Sequence, residues 1–258
     1  MYRFLLRPKW IIFTLGIILL IVVMVNLGFW QLRRLDDRKA VNAQVRERTA
    51  AAIVPLDDLV LRQGDHLAVP GNIEWRNVST TGRYDESQQV LVRNRSYNGS
   101  PGYHVLTPLV LPSGDAVIVN RGFIPLETTG DKPIVPAAPA GVVTVNGWVR
   151  SSQKRGHFGP RDPAEGTLTE VARADLVRLQ QQLPYRILPV YVERESSQPA
   201  DARAITPLPL PSLDEGPHLS YAIQWFLFCG LAVIGWVLVV RKTAKGGPEF
   251  VEVDQTAP

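Results

Sequence analysis

Two stretches of this chain are apolar without a single charge. Trp10–Leu32 and Leu219–Val240 contain no Asp, Glu, Lys or Arg. At about 1.5 Å per residue, each is long enough to cross a hydrocarbon layer of about 30 Å. Backbone polar groups have no water to bond in lipid, so both stretches are expected to be helical. Between them the pattern shifts from uniformly apolar to partly alternating. "QVLVRNR" (89–95), "GYHVLTPLVL" (102–111), "DAVIVNRGFI" (115–124) and "GVVTVNGWVR" (141–150) are rich in β-branched and aromatic residues, which predicts strands. The turn cluster "LPSGD" joins 102–111 and 115–124 into a hairpin. "IEWRNVSTTGRY" (73–84) is a fifth strand. "YRILPVYVE" (185–193) is a sixth, broken at Pro189 and therefore expected near a sheet edge. In "TLTEVARADLVRLQQQL", Thr167 and Glu170 have the spacing of a capping box, and Ala172, Leu176, Leu179 and Leu183 form one stripe. That combination predicts a helix. The Pro-rich strings "PIVPAAP" and "ITPLPLPSL" read as linkers.

This inventory predicts a membrane protein in which two transmembrane α-helices flank an extracytoplasmic β-rich domain, an α+β small barrel or sandwich. The expected boundaries are an N-terminal tip at 1–9, a first span at 10–32, the β-rich domain at 33–217, a second span at 218–240 and a tail at 241–258. Bulky "VNLGFWQL" follows the first apolar run where a signal peptidase requires small residues, so the span is expected to stay as an uncleaved anchor. Arg241, Lys242 and Lys245 lie beyond the second span, whereas "LDEGPH" on its other side has no Lys or Arg. The positive-inside rule then places both termini in the cytoplasm and the central domain outside it. Arg33, Arg34, Arg38 and Lys39 argue the other way for the first span alone, but the rule weakens for translocated segments as long as this one. No Arg- and Ser-rich leader precedes the first span, which favours a bacterial plasma membrane.

Charge narrows the functions. Residues 31–217 hold 22 Lys/Arg against 21 Asp/Glu, so no basic face points to nucleic acid. The one cysteine, Cys229, sits inside the second span, which leaves the domain without disulfides, thiolate metal sites or a Cys nucleophile. No GxSxG, GxxxxGK[ST] or HExxH sequence occurs, and the pairs Asp36–Asp37 and Asp57–Asp58 diverge as neighbours in any regular element. The chain is not expected to be an enzyme. His66, His104 and His157 are scattered, and His104 alternates with Val105 on a strand. His218 differs because it opens the second span after Pro217, with Tyr221, Ala222 and Trp225 on its helical face. An imidazole backed by aromatics at headgroup level suits a flat metallocofactor such as haem; it also suits plain interfacial decoration. Across the chain, "LGFWQLRRLDDRKA" turns from apolar to charged within a few residues and is expected to continue the first helix. Arg33 and Asp37 are spaced to pair there.

Five segments in order resemble the surfeit locus protein one family. They are "WQLRRLDDRK" after the first span, "GYHVLTP", "VNRGFIP", "VNGWVR" and "HLSYAIQWF" at the second span. With the two terminal spans and the long loop, the resemblance covers nearly the whole chain. It implies an assembly factor for haem–copper (aa3-type) cytochrome c oxidase that binds haem a and assists its insertion into the catalytic subunit. His218 matches the family histidine and is the implied iron ligand; Trp30, Arg33, Lys39, Tyr221 and Trp225 are the implied surrounding residues, with Gln31 in the same junction. Implied partners are the oxidase catalytic subunit, the lipid bilayer and the haem a synthesis enzyme, with no nucleic acid. The alternative from another class is a scaffold that docks on the oxidase without touching haem. One departure is local: Gly216 and Pro217 precede His218 where the family usually carries Asn. Asn120, Arg121 and Gly122 of the "NRG" signature are expected to be architectural, with Arg121 clamping a neighbouring loop.

Overall fold

No Gly or Pro occurs between Phe29 and Ala50, so nothing in the backbone chemistry stops the first helix at the end of its apolar run. The computed structural model, which describes residues 2–64, 66–126 and 133–246, shows one unbroken helix, α1, over Pro8–Ala50. Residues 247–258 of the expected tail and Met1 of the expected tip lie outside the described residues. The chain divides into two compact units, residues 1–43 with 212–258, and residues 44–211.

In the first unit α1 packs along a second helix, His218–Lys245, numbered α3 by its place in the chain. Both are long and apolar enough to cross a membrane. The less exposed residues of α1 include Ile17, Ile21, Met24, Gly28, Gln31 and Leu35, at alternating steps of four and three, and then Asn42, seven residues on. On α3 the corresponding set is His218, Ala222, Trp225, Cys229, Ala232 and Trp236. Steps averaging 3.5 residues are the mark of a left-handed helix pair. Contacts down the seam agree: Trp236 Nε1 donates to Thr14 Oγ1 at 3.3 Å, and Cys229 Sγ lies 3.8 Å from the Ile21 carbonyl. Phe226 stacks edge-on against Phe29, with centroids 5.5 Å apart.

The second unit is a small barrel built from strands that alternate as expected. Its strands are β1 (Val54–Pro55), β2 (Leu61–Gln63), β3 (His66–Ala68), β4 (Asn77–Tyr84), β5 (Val90–Tyr97), β6 (Ser100–Val110), β7 (Ala116–Pro125), β8 (Val143–Ser151), β9 (Glu170–Val171) and β10 (Ile187–Gln198). The sheet runs β1-β4-β8-β10-β7-β6-β5-β9, and β6 also pairs with β4 through Arg83↔Val110 and Tyr84↔Leu109. That extra pairing closes a ring of five strands, β4-β8-β10-β7-β6. All five send side chains inward: Val78, Leu109, Val117, Val119, Val143, Val145, Leu188 and Val192 are wholly buried there, as a barrel this narrow requires. The β6–β7 hairpin forms as expected, with Val110 opposite Ala116.

Two expectations fail for physical reasons. Pro189 is not at an edge, because β10 lies in the ring between β8 and β7. The register between β10 and β7 slips between Ile187 and Tyr191, and pairing with β8 starts only at Val190, so Pro189 occupies an irregularity that needs no N–H. The capping box at Thr167 and Glu170 does not form either. Glu170 and Val171 instead pair in parallel with Leu91 and Val92 of β5, and the Ala172 N–H donates to the Asp162 carboxylate at 2.9 Å. The helix, α2, is only Leu176–Gln180, capped by Asp175, whose Oδ1 accepts from the Arg178 N–H at 3.2 Å. Leu176 and Leu179 face the outer wall of the barrel beside Tyr191.

Candidate functional site

His218 is the first residue of α3, and its ring meets α1 at the polar end of the apolar seam. Nδ1 lies 2.9 Å from Gln31 Oε1. An amide oxygen only accepts, so Nδ1 is the donor in this contact, and Nε2 is left on the side of the ring away from Gln31. Among the described residues Nε2 has no hydrogen-bond partner. Gly216, at φ +73°, lies by the same edge of the ring: a Cβ built there would stand 3.5 Å from Nε2. The polar support for the imidazole therefore comes from the facing helix and not from the residues just before it.

The chain leading into α3 is tied to α1 at further points. Asn42 Nδ2 donates to the Leu213 carbonyl at 2.8 Å, and Lys39 Nζ lies 3.9 Å from Glu215 Oε2. The Gly216 N–H donates to Asp214 Oδ1 at 2.9 Å. Lower in the seam, Gly28 faces Phe226 so closely that an added Cβ would stand 2.7 Å from the ring. A bulky side chain at position 28 would push the helices apart and pull Gln31 from His218, whereas a methyl can be met by movement of the Phe226 ring.

The remaining expected residues are placed differently. Trp30 and Tyr221 are about half exposed, and Trp225 is half-buried and stacked edge-on against Phe228. Lys39 lies eight residues beyond Gln31, about 12 Å along the helix, and is paired with Glu215. Arg33 is exposed, two residues past Gln31 and hence about 200° around α1 from it. The expected Arg33–Asp37 pair is replaced by Arg34–Asp37 at 3.9 Å. Gln31, which the family resemblance placed with Trp30, Arg33 and Lys39 on the wall facing the second span, is the residue that the structure joins to His218.

The "NRG" segment of β7 has a structural task. Arg121 is fully buried; Nε and Nη2 donate to the two carboxylate oxygens of Asp201 at 2.9 and 2.6 Å, and Nη2 also donates to the Ala137 carbonyl at 3.0 Å. Arg194 Nε donates to the Arg121 carbonyl at 2.8 Å, and burial lowers the Arg194 pKa while Asp201 opposes the shift. Gly122, at φ +134°, leaves room for the Thr206 carbonyl, which accepts from the Phe123 N–H at 2.8 Å. The signature thus fastens both Pro-rich linkers to the barrel, as its architectural reading required.

Among the described residues no three His, Cys, Asp or Glu side chains converge to hold a metal ion. What the first unit offers is one imidazole, held by Gln31, between two apolar helices. A lone imidazole in apolar surroundings is a donor that would suit a haem iron, and His218 is the residue that would hold it.

In chain order, two long apolar helices bracket a closed β-barrel, and the second helix opens on an imidazole buttressed by the first. The model of the SURF1 family matches residues 18–230. An uncharacterised SURF1-like protein of Mycobacterium tuberculosis is 31% identical over 238 residues, covering 90% of this chain and 83% of the relative. A SURF1-like protein of Rickettsia bellii is 22% identical, covering 91% and 93%. Surfeit locus protein 1 of Rattus norvegicus is 24% identical, covering 84% and 72%. The chain belongs to the SURF1 family.

Proposed function

We propose that this protein is an assembly factor for aa3-type cytochrome c oxidase that receives haem a through His218 and assists its insertion into the catalytic subunit. The observation that carries this reading is the 2.9 Å contact between His218 Nδ1 and Gln31 Oε1. Hydrogen bonding of one ring nitrogen fixes the tautomer and raises the basicity of the other, which is the usual arrangement of a metal-ligating histidine. Haem a is cargo here, so a single protein ligand suits release as well as capture. Gln31 holds the ring, Gly216 keeps its outer edge open, and the Gly28–Phe226 contact sets the helix spacing. Trp30, Tyr221 and Trp225 offer aromatic surface around the macrocycle, while Arg33, on the far side of α1, and Lys39, paired with Glu215, have no propionate role in this reading.

The protein is placed by this reading in a bacterial plasma membrane, with both termini cytoplasmic and the barrel outside. The partners are the oxidase catalytic subunit and the haem a synthesis enzyme. The test is complementation of a bacterial strain whose own family member is deleted. Wild-type protein should restore the haem a band of the assembled oxidase, and His218→Ala at equal membrane abundance should not. Full restoration by His218→Ala would favour a scaffold that docks on the oxidase without holding haem.

A further inference from the structure

A cavity of about 200 Å3 lies in the outer wall of the barrel, against the apolar cluster that α2 covers. Packing alone would line such a gap with hydrocarbon. Instead Arg95, His104, Asn120, Arg150, Tyr191 and Glu193 share it. They come from β5, β6, β7, β8 and β10, so five strands converge polar groups on one small space.

The two arginines are not equivalent. Arg150 is committed: Nη1 donates to Glu193 Oε2 at 2.7 Å, Nε donates to Glu74 Oε1 at 3.1 Å, and its guanidinium lies 3.8 Å from the centre of the Trp75 ring. Both carboxylates are thus held by Arg150. Arg95 has no carboxylate within ion-pair distance among the described residues. Its Nη2 donates to the Ala172 carbonyl at 3.0 Å, while its Nε is buried with no hydrogen-bond partner. Arg95 is half-buried, and a buried donor left without a partner, as its Nε is, carries a desolvation cost.

The other lining groups are biased toward donation. Asn120 Oδ1 already accepts from the Gly122 N–H at 3.2 Å, leaving the amide NH2 to donate. The Tyr191 hydroxyl accepts from Gln153 Nε2 at 3.2 Å and keeps its own proton. Burial, with the Arg95 charge beside it, lowers the His104 pKa to about 4, so this imidazole is neutral at pH 7 and keeps one N–H. Donors outnumber acceptors around Arg95, whose guanidinium touches no carboxylate among the described residues.

We propose that this cavity binds a small oxyanion, a carboxylate or phosphate, with Arg95 as its charged partner. A guanidinium is the side chain best matched to such a group. The volume corresponds to about six or seven waters, enough for phosphate or acetate and far too small for a tetrapyrrole. The site is therefore independent of the haem reading.

The full-length protein in detergent tests the proposal. Potassium phosphate and sodium acetate are titrated in separate arms, each against chloride at matched ionic strength, following the thermal midpoint and the heat of binding. The expected result is a saturable one-site response in at least one arm, the arms telling phosphate from carboxylate, with a midpoint rise of about 3 °C or more at saturation. Arg95→Gln should abolish it, while Arg173→Gln should retain it. Should Arg95→Gln fail to fold, His104→Phe, which fills part of the same cavity, should abolish it instead. No saturable response in the wild type means the cavity holds water alone and overturns the proposal. So does a response that survives Arg95→Gln or, in its place, His104→Phe.

Discussion

Arg121 and Asp201, eighty residues apart in the chain, are joined by two hydrogen bonds of 2.6 and 2.9 Å, and both side chains are wholly buried. Truncating Arg121 removes both of these bonds and leaves the buried Asp201 carboxylate with Arg194, 3.5 Å away, as its remaining ion-pair partner. Arg121→Ala should cost about 3–5 kcal/mol of stability, seen as a large fall in the thermal midpoint of the barrel. Arg34→Ala, which removes only the exposed 3.9 Å pair with Asp37, should change stability by less than about 0.5 kcal/mol.

Gly122 offers a second test of the same fastening. Any side chain there meets the Thr206 carbonyl at a backbone angle that suits glycine alone. Gly122→Ala should cost about 2 kcal/mol or more. It should also expose the 199–211 linker to limited proteolysis before the rest of the barrel yields.

Stability should depend on the ionisation of His104. Its folded pKa of about 4 lies below the ordinary 6.5, because burial and the nearby Arg95 charge disfavour the imidazolium. The unfolded chain binds the proton more readily, so this contribution is complete above about pH 6.5 and is lost as pH falls toward 4. Between pH 7 and pH 5 the wild type should lose about 1–2 kcal/mol more than His104→Phe does. Thermal melts of the two proteins at the two pH values measure the difference.

Much of this architecture can be read in the residues themselves. The two apolar spans, the β6–β7 hairpin and the clamp role of Arg121 all follow from local composition or turn chemistry. What is lost is set by distant partners. Glu170 and Val171 have helix-start spacing, yet the open edge of β5 and the Asp162 carboxylate take their backbone groups. Pro189 looks like an edge marker, yet a slip in register lets it sit in the ring. His218 is visible from its position at a span, but the amide that orients it lies 187 residues away, and no spacing rule links the two.

The helix seam carries a prediction of its own. The ring tip of Phe226 is the far end of a flexible side chain, so Gly28→Ala should be tolerated. Gly28→Ile should spread α1 from α3 and lower haem retention while leaving the melting of the barrel unchanged. A haemochrome assay on equal amounts of purified protein reads the outcome.

Gln31→Leu keeps the size of the side chain and removes the acceptor for Nδ1. It should weaken haem affinity by about 10–100-fold, the usual loss when a ligand's supporting hydrogen bond is removed. Unchanged affinity would show that His218 needs no support from α1.

The most direct measurement is the absorption spectrum of the detergent-purified protein, co-expressed with the haem a synthesis enzymes, for wild type and His218→Ala. The wild type should carry a stoichiometric haem a band, and the variant should lose it with the barrel still folded. A wild type that purifies without haem a, or a variant that keeps the full band, would contradict haem delivery through His218.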